Sequence, residues 1–406
     1  MQLTNISILA AVLLVSSASA QLGAGPGVIT KPRLNKAFDV KKLSAVGTDI
    51  RQISLWHLPG DRPGRWTAGL TMSKLSTAFG GNGTNVGVVM GVYDRTAQTF
   101  TPSKLAKNLS SPGDDFGLMI EPTRGLLAVL DHPSGPVLAT RTRVTAPFGA
   151  PKRIQGFTAS FVDPALGFIG GQLHIFYVVS TGNAPGLYMT RLDEKTPKLV
   201  GTPVRVGKTV LTQGLFTGTT HSPTPIVGAD GDIEGLWNAD SVGNDSDMYF
   251  SEDLDPTTPH HLVANTSRWA NNGGVAGGEL HFAESGNYAA GTLSAGVAWL
   301  LGDIEKPGGT VDITGAVAGA PTALTLVFLS DRTAKPFAIP GFGGKFGLNL
   351  AAFSVLGSFQ HTSMTQRGSL SFKMPIGISK IRVPIQGLSI VGTQLTFTNT
   401  ARIVIN

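Results

Sequence analysis

Polar and charged side chains stand at the start of several otherwise apolar, strand-like segments of this chain. These residues are Asp49 in TDIRQISLW, Asp115 in GDDFGLMIEP, Asp163 in SFVDPAL, His221 in THSPTP, and Trp269, Asn271 and Asn272 in SRWANNGG. Carboxylates can act as general acid, general base or nucleophile, and imidazole, indole and amide groups can bind polar ligands. The alternative for each acid is structural, because Asp often caps a turn through a hydrogen bond to the backbone.

The segments that must position these residues repeat along the chain. Glycine-opened apolar strands begin at Gly64, Gly125, Gly171, Gly231 and Gly278, spaced 46 to 61 residues apart. Each follows a short strand, and most precede another, which gives the three or four strands of a propeller blade. A single blade cannot bury both faces, whereas blades stacked around a ring can. The repeat therefore predicts a five-bladed β-propeller over residues 40–302, after a lead-in at 21–39; a two-sheet sandwich is the alternative.

The composition favours the same all-β class. The chain has 52 Gly and 25 Pro, with only 14% charged residues, which is typical of short strands joined by many turns. It shows no sustained 3.6-residue apolar periodicity beyond the first twenty residues. Cysteine is absent, so disulfides, thiolate metal sites and Cys nucleophiles are excluded.

The last hundred residues differ from the rest in charge. From Pro307 to Asn406 there are eight Lys or Arg against Asp312 and Asp331, so this stretch carries the whole net charge of +6. Segments such as TALTLVFLS and GSLSFKMPIG alternate apolar and polar residues, as half-buried strands do. We expect a second domain at 303–406, a small jelly-roll-like β-sandwich that resembles C-terminal domains of secreted bacterial surface proteins. Its cations are dispersed, which favours an acidic surface polymer over nucleic acid as partner.

The N-terminus has the pattern of an export signal. The apolar run ILAAVLLV is too short to span a bilayer and leads to the small residues Ala18, Ser19 and Ala20. We expect a signal peptide at 1–20 and a secreted, periplasmic or cell-surface protein of bacterial type. No later stretch reaches the roughly 18 apolar residues of a membrane helix, so no membrane span is expected.

Two consecutive segments resemble a known family. FVDPALGFIGGQLHIFYVVSTGNAPGLYMTRLD and HSPTPIVGADGDIEGLWNADSVGNDSDMYFSEDL are similar to blades of the five-bladed propeller glycoside hydrolases that cleave plant-type polysaccharides. The resemblance covers about residues 110–285. It implies three carboxylates at the central channel: a base, an acid, and an Asp that tunes the acid. Asp163 matches the tuning Asp, and Asp49 is the candidate for the base.

The expected acid of that family is missing. Its place reads His221-Ser222-Pro223, and the nearest acidic residues, Glu121 and Glu234, fall one strand away. The sequence therefore leaves two functions open: a glycoside hydrolase, and a non-catalytic binding or surface protein that retains the propeller scaffold. In both, a polysaccharide or glycan is the expected ligand of the channel, and His221, Trp269, Asn271 and Asn272 are candidate ligand-binding residues, with Asp115 as a further candidate carboxylate.

No cofactor is expected, with calcium kept open. Nine acidic residues lie between Asp230 and Asp255 without any Lys or Arg, and oxygen-rich clusters of this kind suit Ca²⁺. Ordinary solvated turns are the alternative, since the twelve-residue spacing of a calcium loop is absent. The chain also lacks a GxSxG nucleophile motif, a phosphate loop and a dinucleotide fingerprint.

Overall fold

The structure is a computed structural model that describes most of the chain from Asn35 onward. The described residues are 35–56, 58, 61, 65–94, 96–157, 161–179, 186–206, 208–209, 221–227, 232–242, 245–251, 254, 259–264, 270–276, 279–284, 287–292, 298–301, 304–305, 307–317, 323–342, 346–360, 367–378, 381–391 and 394–405. Within them the only helical segments are two short 3₁₀ turns, Lys36–Phe38 and Thr77–Phe79. The all-β prediction is confirmed. No helix among these residues is long and apolar enough to cross a membrane.

The chain divides into two compact units, the first made of residues 29–227 and 231–291 and the second mainly of residues 292–406. The first unit contains five sheets. Sheet 1 has β1 (Asp49–Trp56), β2 (Arg65–Ser73), β3 (Gly87–Asp94) and β4 (Thr99–Ser103), and sheet 2 has β5 (Phe116–Ile120), β6 (Leu127–Asp131), β7 (Val137–Thr140) and β8 (Lys152–Arg153). Sheet 3 has β9 (Phe161–Ile169), β10 (Gln172–Val179), β11 (Gly186–Asp193) and β12 (Lys198–Arg205). In all three sheets, strands consecutive in sequence are antiparallel neighbours.

Sheets 4 and 5 follow with the same meander. Sheet 4 contains β13 (Lys208–Thr209), β14 (His221–Val227), β15 (Ile233–Val242), β16 (Asp245–Ser251) and β17 (Pro259–Ala264), and sheet 5 contains β18 (Ala270–Ala276), β19 (Glu279–Glu284) and β20 (Asn287–Thr292). The short β13 pairs in parallel with β17 at the outer edge of sheet 4. The five glycine-opened repeats of the sequence correspond to β2, β6, β10, β15 and β19, so each repeat marks the strand that pairs with the first long strand of its sheet.

The first long strands of the five sheets contact one another in cyclic order. Strand β1 packs beside β5, β5 beside β9, β9 beside β14, β14 beside β18, and β18 beside β1. The seam between sheets 5 and 1 is covered by the lead-in: the Asn35 side-chain amide donates to the Tyr93 hydroxyl at 3.1 Å and lies 3.4 Å from His281 Nδ1. The Phe38 ring packs 5.1 Å from Tyr93 in the same place. The chain segment before β1 thus joins the two sheets that are furthest apart in sequence.

Apolar side chains fill the spaces between neighbouring sheets. The largest buried cluster extends from sheet 1 to sheet 4 and includes Trp56, Leu118, Phe176 and Leu236. Burying one such side chain stabilises the fold by about 1.5–3 kcal/mol. A Cβ at Gly69 would stand 2.8 Å from the Trp56 indole ring. Any side chain at position 69 would therefore force the indole ring to move.

The second unit is also built of strands. It contains β21 (Ala298–Leu301), β22 (Ile304–Glu305), β23 (Thr310–Val317), β24 (Leu324–Ser330), β25 (Thr333–Phe337), β26 (Phe346–Leu348), β27 (Phe353–Gln360), β28 (Arg367–Lys373), β29 (Ile381–Val391) and β30 (Gln394–Ile405). The strand orders are β21-β23-β28, β22-β30-β29-β24-β27 and β25-β26. One apolar cluster includes Val311, Ile313 and Ile385, and a second packs Phe346 against Phe353 and Phe397.

Candidate functional site

Asp163 lies at an irregularity in β9. Asp163 and Pro164 together stand opposite the single residue Tyr177 of β10, which makes a β-bulge. Pro164 has no N–H for the ladder, and Asp163 takes a left-handed backbone conformation with φ of +52°, which costs a non-glycine residue about 1 kcal/mol or more. The bulge turns the Asp163 side chain toward the first strands of neighbouring sheets.

The Asp163 carboxylate is held from two sides. Its Oδ1 accepts a hydrogen bond from Gln52 Nε2 of β1 at 2.7 Å. Its Oδ2 accepts from the Ser222 backbone N–H of β14 at 3.0 Å and from Ser222 Oγ at 3.2 Å. Only 8% of the residue surface is exposed, so these donors replace the water that a carboxylate needs. One side chain therefore links three sheets.

Gln52 extends this arrangement to sheet 2. Its Oε1 accepts hydrogen bonds from Thr71 Oγ1 of β2, at 3.0 Å, and from the Gly117 N–H of β5. Gly117 also has positive φ, and a Cβ there would stand 3.3 Å from Asp163 Oδ1. Fully buried Ser222 repeats the left-handed conformation in β14, with φ of +58°. We call Gln52, Thr71, Gly117, Asp131, Asp163 and Ser222 the central network.

Asp131 is the second carboxyl group of the central network, and only Asp163 among the network's six residues was predicted from the sequence. It ends β6, and its Oδ2 accepts a hydrogen bond from the Asp163 backbone N–H at 2.6 Å. Burial and then the nearby Asp163 charge raise the pKa of Asp131 to about 8, although the hydrogen bond from Asp163 opposes the shift. Asp131 remains partly exposed, so it is a mostly protonated carboxyl at neutral pH within reach of solvent. The available signal was an acid ending the apolar segment GLLAVLD.

The other two predicted carboxylates lie at the starts of β1 and β5. Asp49 pairs with Arg51 Nε at 3.1 Å, and burial raises its pKa against the opposing Arg51 charge. Asp115 is fully buried and accepts the Ser111 N–H at 2.6 Å; burial raises its pKa as well. No hydrogen bond between described residues joins either carboxylate to the central network. Their catalytic role stays a prediction.

Four further candidates were expected to bind ligand. His221 begins β14 beside Ser222, and Asn271 and Asn272 lie in β18 at a register irregularity between Asn271 and Gly273. The side chains of these three residues lie outside the described part, as does the whole of Trp269. The backbone therefore brings His221 next to the central network, and the ligand-binding roles of all four stay predictions.

Glu121 was considered as a substitute for the missing acid, and Asp232 belongs to the acidic segment considered for calcium. Both make other contacts in the described part of the chain. The Glu121 carboxylate accepts the Arg124 N–H at 3.0 Å and pairs with the Arg124 guanidinium, which is a turn-capping arrangement. Asp232 accepts the N–H groups of Gly170 and Gly171, so it ties the β9–β10 turn to sheet 4. In the described part of the chain, no three His, Asp or Glu residues group as metal ligands. Much of the acidic segment from 230 to 255 lies outside that part.

The geometry of the central network limits its chemistry. Hydrolysis by the usual glycosidase routes needs two carboxyl groups about 5–10 Å apart that face each other across the bond to be cleaved. Asp131 and Asp163 instead adjoin through a backbone amide, and both Asp163 oxygens already accept hydrogen bonds. The network thus presents one neutral, partly exposed carboxyl beside a buried carboxylate that already accepts three hydrogen bonds, an arrangement suited to hydrogen-bonding an uncharged ligand.

Comparisons with known proteins give only distant likenesses. No protein-family profile and no curated protein sequence matches the chain. Among solved structures, the catalytic domain of a GH62 α-L-arabinofuranosidase from Coprinopsis cinerea aligns with 66% of this chain and 96% of its own, at 12% identity and a TM-score of 0.39. A GH43_1 enzyme from Xanthomonas citri, complexed with xylotriose, aligns over 69% and 92% at 13% identity and a TM-score of 0.41.

A third solved structure aligns over more of the chain. The β-fructofuranosidase of Schwanniomyces occidentalis covers 96% of this chain and 94% of its own, at 9% identity and a TM-score of 0.41. With TM-scores below 0.5 and such low identities, these likenesses identify no activity for this chain.

Proposed function

We propose that residues 40–302 form a five-bladed β-propeller that binds a neutral glycan at the central network without hydrolysing it. Two observations support the architecture: the first long strands contact one another in cyclic order, and each of the five sequence repeats supplies the neighbouring strand of one sheet. Ligands of such rings bind where the first strands meet. We further propose the predicted β-sandwich for 303–406.

The proposed binding function rests on the raised pKa and the partial exposure of Asp131. A carboxyl group with a pKa of about 8 is mostly neutral at pH 7, so it can both donate and accept hydrogen bonds without a counter-ion. Sugar hydroxyls are neutral groups that also donate and accept, and they match such a partner. Asp163 is buried and accepts hydrogen bonds from Gln52 and Ser222, so it positions Asp131 through its backbone N–H and leaves ligand contact to the more exposed Asp131.

The raised pKa of Asp131 also supports a second candidate function, that of a glycoside hydrolase. A general acid must be protonated at working pH, and the raised pKa of Asp131 satisfies that condition. Hydrolysis also requires a second carboxylate across the ligand. No such carboxylate lies opposite Asp131 in the central network, and Asp49 and Asp115 have the separate partners described above. Binding is therefore the better-supported function.

A polysaccharide panel tests this proposal when binding and release of reducing ends are scored separately. We expect binding to a neutral polysaccharide with no release, and an Asp131→Ala variant, which removes both the donor and the acceptor, should bind about tenfold more weakly. Asp193→Ala is the matched control, because Asp193 caps an exposed turn. Reducing-end release that disappears in Asp131→Ala would instead assign a hydrolase, and absence of any glycan binding would refute the proposal.

Export remains part of the proposed function. The predicted signal peptide 1–20 would deliver the chain to the cell surface or the medium, where polysaccharides are found. N-terminal sequencing of the exported protein should begin at Gln21. A retained first segment would contradict export by this route.

A further inference from the structure

A second kind of site lies in the turn between the 3₁₀ turn Thr77–Phe79 and β3. Asn82-Gly83-Thr84 is an acceptor sequence for N-linked glycans. In such a sequence, Asn is followed two residues later by Ser or Thr, and the middle residue is not Pro. All three residues are exposed. The middle residue, Gly83, has positive φ, and nothing lies within 4 Å of where its Cβ would be. The acceptor sequence thus projects from the surface of sheet 1.

The hydrogen bonds of this turn orient the acceptor amide. Asn82 Oδ1 accepts from Thr84 Oγ1 at 2.8 Å, from the Thr84 N–H at 2.9 Å and from the Asn85 N–H at 2.9 Å. All donors lie within three residues of Asn82, so a newly made chain can form the same turn before the sheets assemble. The contact between carboxamide oxygen and Thr84 hydroxyl leaves Asn82 Nδ2 as the group available for modification.

The folded protein can keep a glycan at this position. Asn82 Nδ2 donates one hydrogen bond to the Pro112 carbonyl oxygen at 3.1 Å. Asn85 Nδ2 donates to the same oxygen, so the Pro112 carbonyl retains a hydrogen-bond donor when Asn82 carries a glycan. An amide nitrogen carries two hydrogens, and modification replaces only one of them. The loop therefore does not depend on an unmodified Asn82.

Asn108-Leu109-Ser110 provides a contrast within the same chain. Its Ser110 hydroxyl accepts from the Val88 N–H at 3.3 Å instead of contacting Asn108, and Asn108 Nδ2 donates to the Phe148 carbonyl at 2.9 Å. These contacts are distant in sequence and form only on folding. This second acceptor sequence lacks the local turn of the first. Of the three others, Asn5 lies in the predicted signal peptide, and those at Asn244 and Asn265 include residues outside the described part.

We propose that Asn82 is an N-glycosylation site when the chain passes through a secretory compartment that contains an oligosaccharyltransferase. The donor is an oligosaccharide linked through pyrophosphate to a lipid. The bond between its sugar C1 and the phosphate oxygen breaks, a bond from C1 to Asn82 Nδ2 forms, one amide proton is released, and the lipid pyrophosphate leaves. The inference rests on the proposed export and is independent of glycan binding at the central network.

The full chain, secreted from yeast cells, tests the site. One arm uses its own first twenty residues and the other a foreign leader, so a failure of export is distinguished from a failure of modification. Trypsin cleaves at Lys74, Arg95 and Lys107, which places Asn82 and Asn108 on separate peptides. Peptide mass spectrometry after enzymatic glycan removal should show the Asn82 peptide mostly modified, and several-fold more than the Asn108 peptide. An unmodified Asn82 peptide in the foreign-leader arm overturns the proposal.

Variants of Thr84 test whether modification of Asn82 requires the acceptor sequence or only an exposed Asn in this loop. Thr84→Ala removes the hydroxyl but keeps Asn82, and modification should be lost; Thr84→Ser keeps a hydroxyl and should retain it. Asn108→Gln should leave Asn82 occupancy unchanged. Unchanged occupancy in a secreted Thr84→Ala protein, or loss in a secreted Thr84→Ser protein, would refute the assignment. Secreted yield and melting temperature, compared across the set, exclude misfolding as the cause.

Discussion

Asp131 and Asp163 form one acid pair built from two neighbouring sheets. Asp163 could be predicted from the sequence because SFVDPAL combines an acid with a proline at a strand start. Its hydrogen-bonding partners could not be predicted, since Gln52, Asp131 and Ser222 come from three other sheets and no local pattern encodes the distance. Asp131 was missed for the same reason: its raised pKa arises from burial and from a charge on the next sheet. Side-chain chemistry here is a property of the assembled sheets.

The stability of Asp131→Asn relative to the natural protein should depend on pH. The folded pKa of about 8 exceeds the ordinary value of 3.8, so the folded protein holds a proton that the unfolded chain releases as pH rises. The stabilisation is fully present below about pH 4 and is lost as pH rises through about 8, by at most about 1.4 kcal/mol per pH unit. Urea unfolding at several pH values should find the variant increasingly the more stable protein up to about pH 8. A pH-independent difference would contradict the raised pKa.

Asp163→Asn should destabilise the fold. An amide has one acceptor oxygen, so its NH₂ group must face either Gln52 Nε2 or the Ser222 N–H, and a buried donor loses its partner. The expected cost is about 1–3 kcal/mol. It is measured by urea unfolding near pH 6, where Asp131 stays protonated and its repulsion with Asp163 is absent. Asp193→Asn, in an exposed turn, should change stability by no more than about 0.5 kcal/mol. Equal effects would show that Asp163 is not held as described.

Bulges are the recurring feature at the scale of strands. In the first unit, the first long strand of each of the five sheets has a register irregularity, at Ile50/Gln52, Phe116/Met119, Asp163–Pro164, His221/Thr224 and Asn271/Gly273. The spacing of glycine-opened segments predicted the strands beside them, because apolar alternation and turn residues are local signals. The bulges could not be predicted, because pairing register is set by the partner strand and by contacts between sheets.

Two glycines with similar backbone conformation provide a test at this scale. Gly117 has φ of +66° in the bulge of β5, and Gly171 has φ of +71° in the β9–β10 turn. Alanine at either position incurs about 1 kcal/mol for the left-handed conformation. Gly117→Ala should cost about 2–3 kcal/mol in all, because its Cβ would press on Asp163, whereas nothing lies within 4 Å of the Gly171 position. Thermal unfolding of both variants measures the difference, and equal shifts would argue against the contact.

At the scale of the whole molecule, the charges of residues 1–306 balance, whereas residues 307–406 carry a net charge of +6. The charge difference could be counted from the sequence, and it falls close to the division between the two compact units. The arrangement of strands in the second unit could not be predicted, since its sheets pair strands that are distant in sequence, such as β22 with β30 and β23 with β28. Alternating residues indicate that a strand has two faces but do not identify its partner.

The basic unit should bind an acidic polysaccharide in a salt-dependent manner. Its exposed cations include Arg332 and Lys335, and attraction between exposed charges weakens as salt shortens the screening length. Neutralising both residues, in Arg332→Gln with Lys335→Gln, should lower the salt concentration that elutes the protein from an immobilised anionic polymer. Neutralising Lys195 and Lys198 of the first unit serves as the matched control. Equal reductions would mean that binding follows net charge alone.

The seam between β18 and β1 has a consequence for how the chain folds. The sheets of the first unit consist mainly of neighbouring hairpins that can form early from local contacts, whereas β1 and β18 come from opposite ends of that unit. Bringing such distant segments together costs loop-closure entropy, and non-local contacts of this kind slow folding. Docking of sheet 5 against sheet 1, with Asn35 contacting Tyr93 of β3 and His281 of β19, is therefore the natural last step of assembly. We expect the contact between β18 and β1 to open first when the first unit unfolds.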